Sequence, residues 1–212
     1  MALDLLGYVL AVVLGIFPIA NPFSTAPILI SLTPTATEQT RKRLATRACV
    51  YMAALLTVFL LLGALILQFF GITLQSLRIA GGLVVAYLGF RMLFPPERLT
   101  TAKEDSADED PLQLAFVPMA MPMLSGPGSI SVVLAMATQV AQQEDFTMRI
   151  AGYGVVAVGI FISAFLCWIV LLSSGAIVRF LGKGGIEAAT KLIGFLMICM
   201  GTQFVLTGWA MG

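Results

Sequence analysis

Asn21, Ser24 and Thr25 lie among Pro18, Pro22 and Pro27, and Ser125, Gly126, Gly128 and Ser129 lie among Pro118, Pro122 and Pro127. Both groups interrupt long apolar stretches, and they are the residues of this chain best suited to holding a small guest. A proline inside a helix offers no N–H to the carbonyl four residues back and clashes with it. In helical form the freed carbonyls are those of Leu14, Pro18 and Phe23 in the first group, and Leu114, Pro118 and Met123 in the second. Asn21 before Pro22, and Ser125-Gly126 before Pro127, are helix-starting combinations. Their side chains accept from the first free amides, and proline suits the first helical position. Two helix N-termini beginning inside apolar segments present amides and a positive dipole end to a carboxylate. Carbonyls and hydroxyls beside them suit an ammonium group or a Na⁺ ion. A small zwitterion satisfies both ends, and Gly126 and Gly128 permit close backbone approach.

A plainer role competes with this one. Serine and threonine in apolar helices commonly bond back to their own carbonyls, so both roles stay open for Ser24, Thr25, Ser125, Ser129 and Ser131. For Asn21 capping or binding is favoured, because an unpartnered amide is costly in hydrocarbon. The spacing also argues for design. Pro18, Pro22 and Pro27 recur as Pro118, Pro122 and Pro127, each one hundred residues on, and Ala20 recurs as Ala120. An offset of 112 carries Gly82 and Gly89 to Gly194 and Gly201. The chain reads as a duplication.

The elements that hold these residues must be membrane helices. Apolar residues make up 59% of the chain and charged residues 11%, with mean hydropathy +0.98, against about 25% charge in soluble domains. Six segments near 5–32, 45–69, 73–94, 113–140, 150–173 and 187–211 reach the roughly 20 residues that a bilayer crossing needs. The first and fourth are too long for straight perpendicular rods and hold the prolines, so each reads as a broken span. The first run has no basic leader region, its first charge being Asp4, and it reads as a retained span rather than a signal peptide. The expected fold is therefore all-α and integral to the membrane, with six transmembrane segments as two inverted 3+3 repeats. Residues 1–94 form the first repeat, 95–112 a hydrophilic cytoplasmic linker, and 113–212 the second repeat. Three spans per half make the second half enter upside down, an arrangement that places a binding site at the repeat interface near the midplane.

Basic residues set the orientation. Arg41, Lys42, Arg43 and Arg47, then Arg91, Arg98 and Lys103, then Arg179, Lys183 and Lys191 fall on one side, leaving only Arg78 and Arg149 on the other. The positive-inside rule makes the richer side cytoplasmic and both termini periplasmic. Arg78 and Arg91 read as snorkelling anchors.

Several chemistries lack carriers. The chain has no histidine, and Cys49, Cys167 and Cys199 lie apart in apolar runs without a CxxC spacing. No Asp or Glu falls in the middle of a span, so proton coupling through a buried carboxylate is disfavoured. Na⁺ coupling through carbonyls and hydroxyls, or simple exchange, stays open. An enzyme is not expected, and neither a cofactor nor a metal site is indicated. Net charge of +1 gives no footprint for nucleic acid. The expected partners are the lipid bilayer and a small zwitterionic substrate. Export or import of another small metabolite, and a non-transporting membrane subunit, are the competing functions.

Four blocks together resemble the MarC family of six-span inner-membrane proteins. They are Pro18-Ile19-Ala20-Asn21-Pro22; Pro118-Met119-Ala120-Met121-Pro122 with Ser125-Gly126-Pro127-Gly128; Leu77-Arg78-Ile79-Ala80-Gly81-Gly82 with Gly89-Phe90-Arg91-Met92-Leu93-Phe94; and Gly182-Lys183-Gly184-Gly185-Ile186-Glu187. The resemblance covers nearly the whole chain. It implies a multi-pass protein of the bacterial inner membrane. Relatives of the SnatA type take up glycine and alanine, so it also implies a transporter of small neutral amino acids.

Overall fold

A computed structural model describes residues 2–33, 36–94 and 115–210. The linker expected at 95–112 lies outside the described residues. Helix α1 (Ala2–Ala20) ends at Asn21, and α2 (Pro22–Leu32) starts directly after it. Helix α3 (Glu38–Phe70) follows, capped by Thr37, whose side chain accepts from the Thr40 amide. Gly71, at φ 65°, turns the chain into α4 (Leu74–Leu93), a left-handed conformation that costs glycine little. A π-helix (Phe116–Leu124) leads through Ser125-Gly126 into α5 (Pro127–Ala141). Asp145 caps α6 (Phe146–Leu172) by accepting from the Thr147 and Met148 amides. The last run, α7 (Ser174–Trp209), bends where Gly182 leaves helical geometry at φ 62°, ψ −176°.

Among the described residues five stretches are long and apolar enough to cross a bilayer: Leu5–Ile30, Glu38–Phe70, Leu74–Leu93, Phe146–Leu172 and Gly184–Trp209. The sixth expected span is divided. Its π-helix has nine residues and α5 has 15, so neither crosses alone. Proline explains the division, since Pro118 and Pro122 each lack the amide of a regular turn and Pro127 begins a new helix. Among the described residues there is no strand. Large apolar side chains such as Leu61, Leu65, Tyr87 and Phe165 face outward, which a soluble protein would not tolerate on this scale.

Helices in lipid gain little from hiding apolar surface and associate through close packing of small residues. The pair α4 and α7 is the clearest case. A Cβ on Gly82 would stand 2.5 Å from the Gly201 carbonyl oxygen, and one on Gly89 would stand 2.5 Å from that of Gly194. The two helices therefore touch backbone to backbone and run antiparallel. Elsewhere Gly159 of α6 receives Val12 of α1, and Gly63 of α3 receives Leu134 of α5. Ile16, Leu29, Met52, Met119, Val133 and Ile160 fill the core between these helices, each fully buried.

Candidate functional site

The first interruption is a single residue. Proline disfavours α geometry in the residue before it, and asparagine enters the left-handed region more readily than other side chains. Asn21 accordingly sits at φ 41°, ψ 64°, the only described non-glycine residue with positive φ. Its side chain stays at the break. Oδ1 accepts from the Ser24 amide at 3.4 Å, and Nδ2 donates to Ser24 Oγ at 2.7 Å. Nδ2 also reaches Met92 Sδ of α4 at 3.4 Å, and Ser24 Oγ lies 3.0 Å from Thr190 Oγ1 of α7. Thr25 Oγ1 donates back to the Asn21 carbonyl at 3.2 Å. The start of α2 is thus capped by its own residues and tied to both helices of the glycine seam.

The second interruption is wider and less provided for. The Ser125 amide donates to the Ala120 carbonyl five residues back, at 2.8 Å, which closes the π-helix. Gly126 then runs extended as the N-cap of α5, and no side chain caps that helix. Ser129 Oγ turns back to the Leu124 carbonyl at 3.3 Å, and Ser131 Oγ to that of Pro127 at 2.8 Å. Ser125 is fully buried, and its Oγ has no hydrogen-bond partner. A buried hydroxyl left unmade costs about 1–3 kcal/mol. It needs an explanation.

The two interruptions are neighbours. A Cβ on Gly128, in the first turn of α5, would come within 2.9 Å of Ile19 Cγ2, two residues before Asn21, and 3.3 Å of Val85 Cγ2 in α4. Of the six prolines, Pro22 and Pro127 stand at helix starts, Pro18 and Pro27 sit within α1 and α2, and Pro118 and Pro122 lie within the π-helix. Asn21, Thr25, Ser125, Gly126, Gly128 and Ser129 are all buried, and Ser24 is half-buried. Ile19 and Gly128 bring the two groups into contact, while the side-chain hydrogen bonds of Asn21, Ser24 and Thr25 stay within the first group or run to α4 and α7, and that of Ser129 turns back to Leu124.

Thr190 and Met92 belong to the first group and were not anticipated. Thr190 follows Glu187 closely and reads from sequence as part of a polar helix end. Its signal is its place three residues behind a solvated carboxylate, on a turn facing inward. Met92 carries no distinguishing signal. Arg41 has a structural role as well, since its Nη2 donates to the Thr33 carbonyl at 2.6 Å and closes the end of α2.

Long apolar helices, a seam of glycines and two adjoining backbone interruptions in the interior define a polytopic α-helical membrane protein. The model of the MarC family, described as integral membrane proteins, matches residues 6–211. The inner membrane protein MarC of Escherichia coli K12 is 40% identical over 199 residues, covering 91% of this chain and 90% of the relative. Proteins of the same name from Shigella flexneri and from Escherichia coli O6:H1 match to the same extent. The chain belongs to the MarC family and is a multi-pass protein of the inner membrane. No solved structure gives a significant match.

Proposed function

We propose that this protein is a secondary transporter of small neutral amino acids such as glycine and alanine, and not an enzyme. The observation that carries the reading is the orphaned hydroxyl of Ser125 beside the uncapped start of α5. A carboxylate seated there would accept from Ser125 Oγ and from the first amides of α5, aided by the helix dipole. Pro22 has no N–H for the Pro18 carbonyl and Pro127 has none for that of Met123, which leaves acceptors for an ammonium group or for Na⁺ as coupling ion. The close Gly128–Ile19 contact packs the two breaks tightly, which favours a guest with a small side chain. No other cofactor enters the scheme.

An inverted-repeat architecture, with a sixth crossing made by the π-helix and α5 together, is supported by reciprocity in the glycine seam. The 112-residue offset relates Gly82 to Gly194 and Gly89 to Gly201. The observed contacts pair Gly82 with Gly201 and Gly89 with Gly194, so each contact is the image of the other, as two-fold symmetry requires. Other pairings follow suit: α1 on α6 answers the π-helix on α3, and α2 on α7 answers α5 on α4. With the basic loops cytoplasmic, both termini are periplasmic.

Labelled glycine and alanine uptake into proteoliposomes, with and without a Na⁺ gradient, tests the proposal. Flux above empty liposomes is expected, with weakened apparent affinity in Ser125→Ala and Asn21→Ala. Absence of flux in either direction from correctly inserted protein would sink it.

A further inference from the structure

We propose that the groove between α3 and α6 is a binding site for one anionic phospholipid of the leaflet bordering the basic first turns of α3. The groove has a volume of about 770 Å³, within the range of roughly 300–1,000 Å³ seen for small-molecule sites. Small residues make its floor, Cys49 and Ala53 on α3 and Ala164 on α6, and Phe161 and Phe165 stand along one wall. Its few polar groups are already engaged. Thr57 Oγ1 donates to the Ala53 carbonyl at 2.7 Å, and Thr46 Oγ1 donates to that of Lys42 at 2.8 Å while accepting from Trp168 Nε1 at 2.9 Å. What fills this groove has to be hydrocarbon.

The groove does not end in hydrocarbon. Thr46 also lines a second cavity of about 540 Å³, whose other residues are Gln39, Lys42, Arg43 and Arg47. Lys42 is paired with Glu38 at 2.8 Å, but Arg43 and Arg47 make no ion pair among the described residues. Apolar slot and cationic pocket therefore adjoin at Thr46, whose hydroxyl accepts from Trp168 of the slot. An indole whose N–H is held at that junction sits where membrane proteins place interfacial aromatics.

The dimensions agree. From Thr46 to Val58 the helix rises about 18 Å at 1.5 Å per residue, close to the roughly 15 Å of one hydrocarbon leaflet. Arg43 lies about one turn further out, at headgroup depth. A phosphodiester headgroup on Arg43 and Arg47 would lay one acyl chain along the slot. A second copy of the protein would bring the same unpaired arginines rather than a counter-charge. The acidic stretch from Glu104 to Asp110 offers charge but no hydrocarbon.

Trp168 is itself the probe. The chain has two tryptophans, so Trp209→Phe leaves Trp168 as the single fluorophore of the full-length protein. Reconstituted with brominated phosphatidylglycerol or brominated phosphatidylcholine at equal mole fraction, Trp168 is expected to be quenched preferentially by the anionic lipid. The relative binding constant should favour it by about fivefold or more for each arginine engaged. Arg43→Gln combined with Arg47→Gln should return that ratio to near one while leaving quenching by phosphatidylcholine unchanged. Ala54→Phe, at the exposed rim of the slot, should lower quenching by both lipids. Equal quenching by the two lipids in the parent protein would overturn the proposal, as would a preference that survives the double arginine variant. Protection of Trp168 from both would assign the groove to a second copy and overturn it too.

Discussion

The two backbone interruptions start from the same kind of sequence and end differently. The break at Asn21 is closed on itself: its side chain caps α2, and Ser24 carries the network to Thr190. The break at Ser125-Gly126 lacks a cap, and its buried hydroxyl bonds nothing. One asparagine accounts for most of the contrast, because it supplies both the left-handed backbone and the capping acceptor in a single residue. At the second break neither duty is filled: Gly126 runs extended, no side chain caps α5, and the Ser125 hydroxyl is left over. A self-satisfied break keeps its shape by its own hydrogen bonds, whereas an unsatisfied one leaves a donor free.

The largest expected effect strikes what both breaks share. Gly201→Leu would drive a side chain into the Ala86 amide and the Gly82 carbonyl, each 2.5 Å from its Cβ. It should cost about 3 kcal/mol or more, read as loss of monodisperse protein in detergent. Ser125→Ala removes a buried unsatisfied group, so it should raise thermal stability by about 1–3 kcal/mol while weakening substrate binding. Asn21→Ala should do the opposite to stability, losing about 1 kcal/mol of capping and adding left-handed strain. Asn21→Gly should recover part of that loss. If Ser125→Ala destabilises and Asn21→Ala does not, the contrast between the breaks is reversed. The smallest effect is the bond between Ser24 and Thr190. A double-mutant cycle with Ser24→Ala and Thr190→Val should yield a coupling of about 0.6 kcal/mol, and zero coupling would detach the first break from α7.

Much of this was legible in the residues. Apolar run lengths gave the helices, and Asn21-Pro22 and Gly126-Pro127 marked helix starts, because proline disfavours α geometry just before itself and accepts the first helical position. The glycines at 82, 89, 194 and 201 were readable as a close-packing face, and they meet as backbone contacts. The shape of the second break was not legible. Equal spacing of Pro118 and Pro122 with Pro18 and Pro22 points to equal breaks. Yet α1 continues through Pro18 and stops at Ala20, whereas the later segment widens into a π-helix and starts afresh only at Pro127. Both segments lack the same amides, and they differ where Met121 stands before Pro122 in place of an asparagine, a difference that proline spacing alone does not translate into a helix geometry. Thr190 was hidden for a similar reason, since only the bend at Gly182 fixes how the polar start of that span meets α2.

The seam between α4 and α7 has a mechanical consequence. With main chain against main chain at two levels, a shift of one residue along the axis would set larger side chains against carbonyl oxygens that now face only hydrogens. Translation along this line is blocked, while a small swing about it leaves both meeting points intact. The seam therefore has the geometry of an axle, open to rotation and closed to sliding.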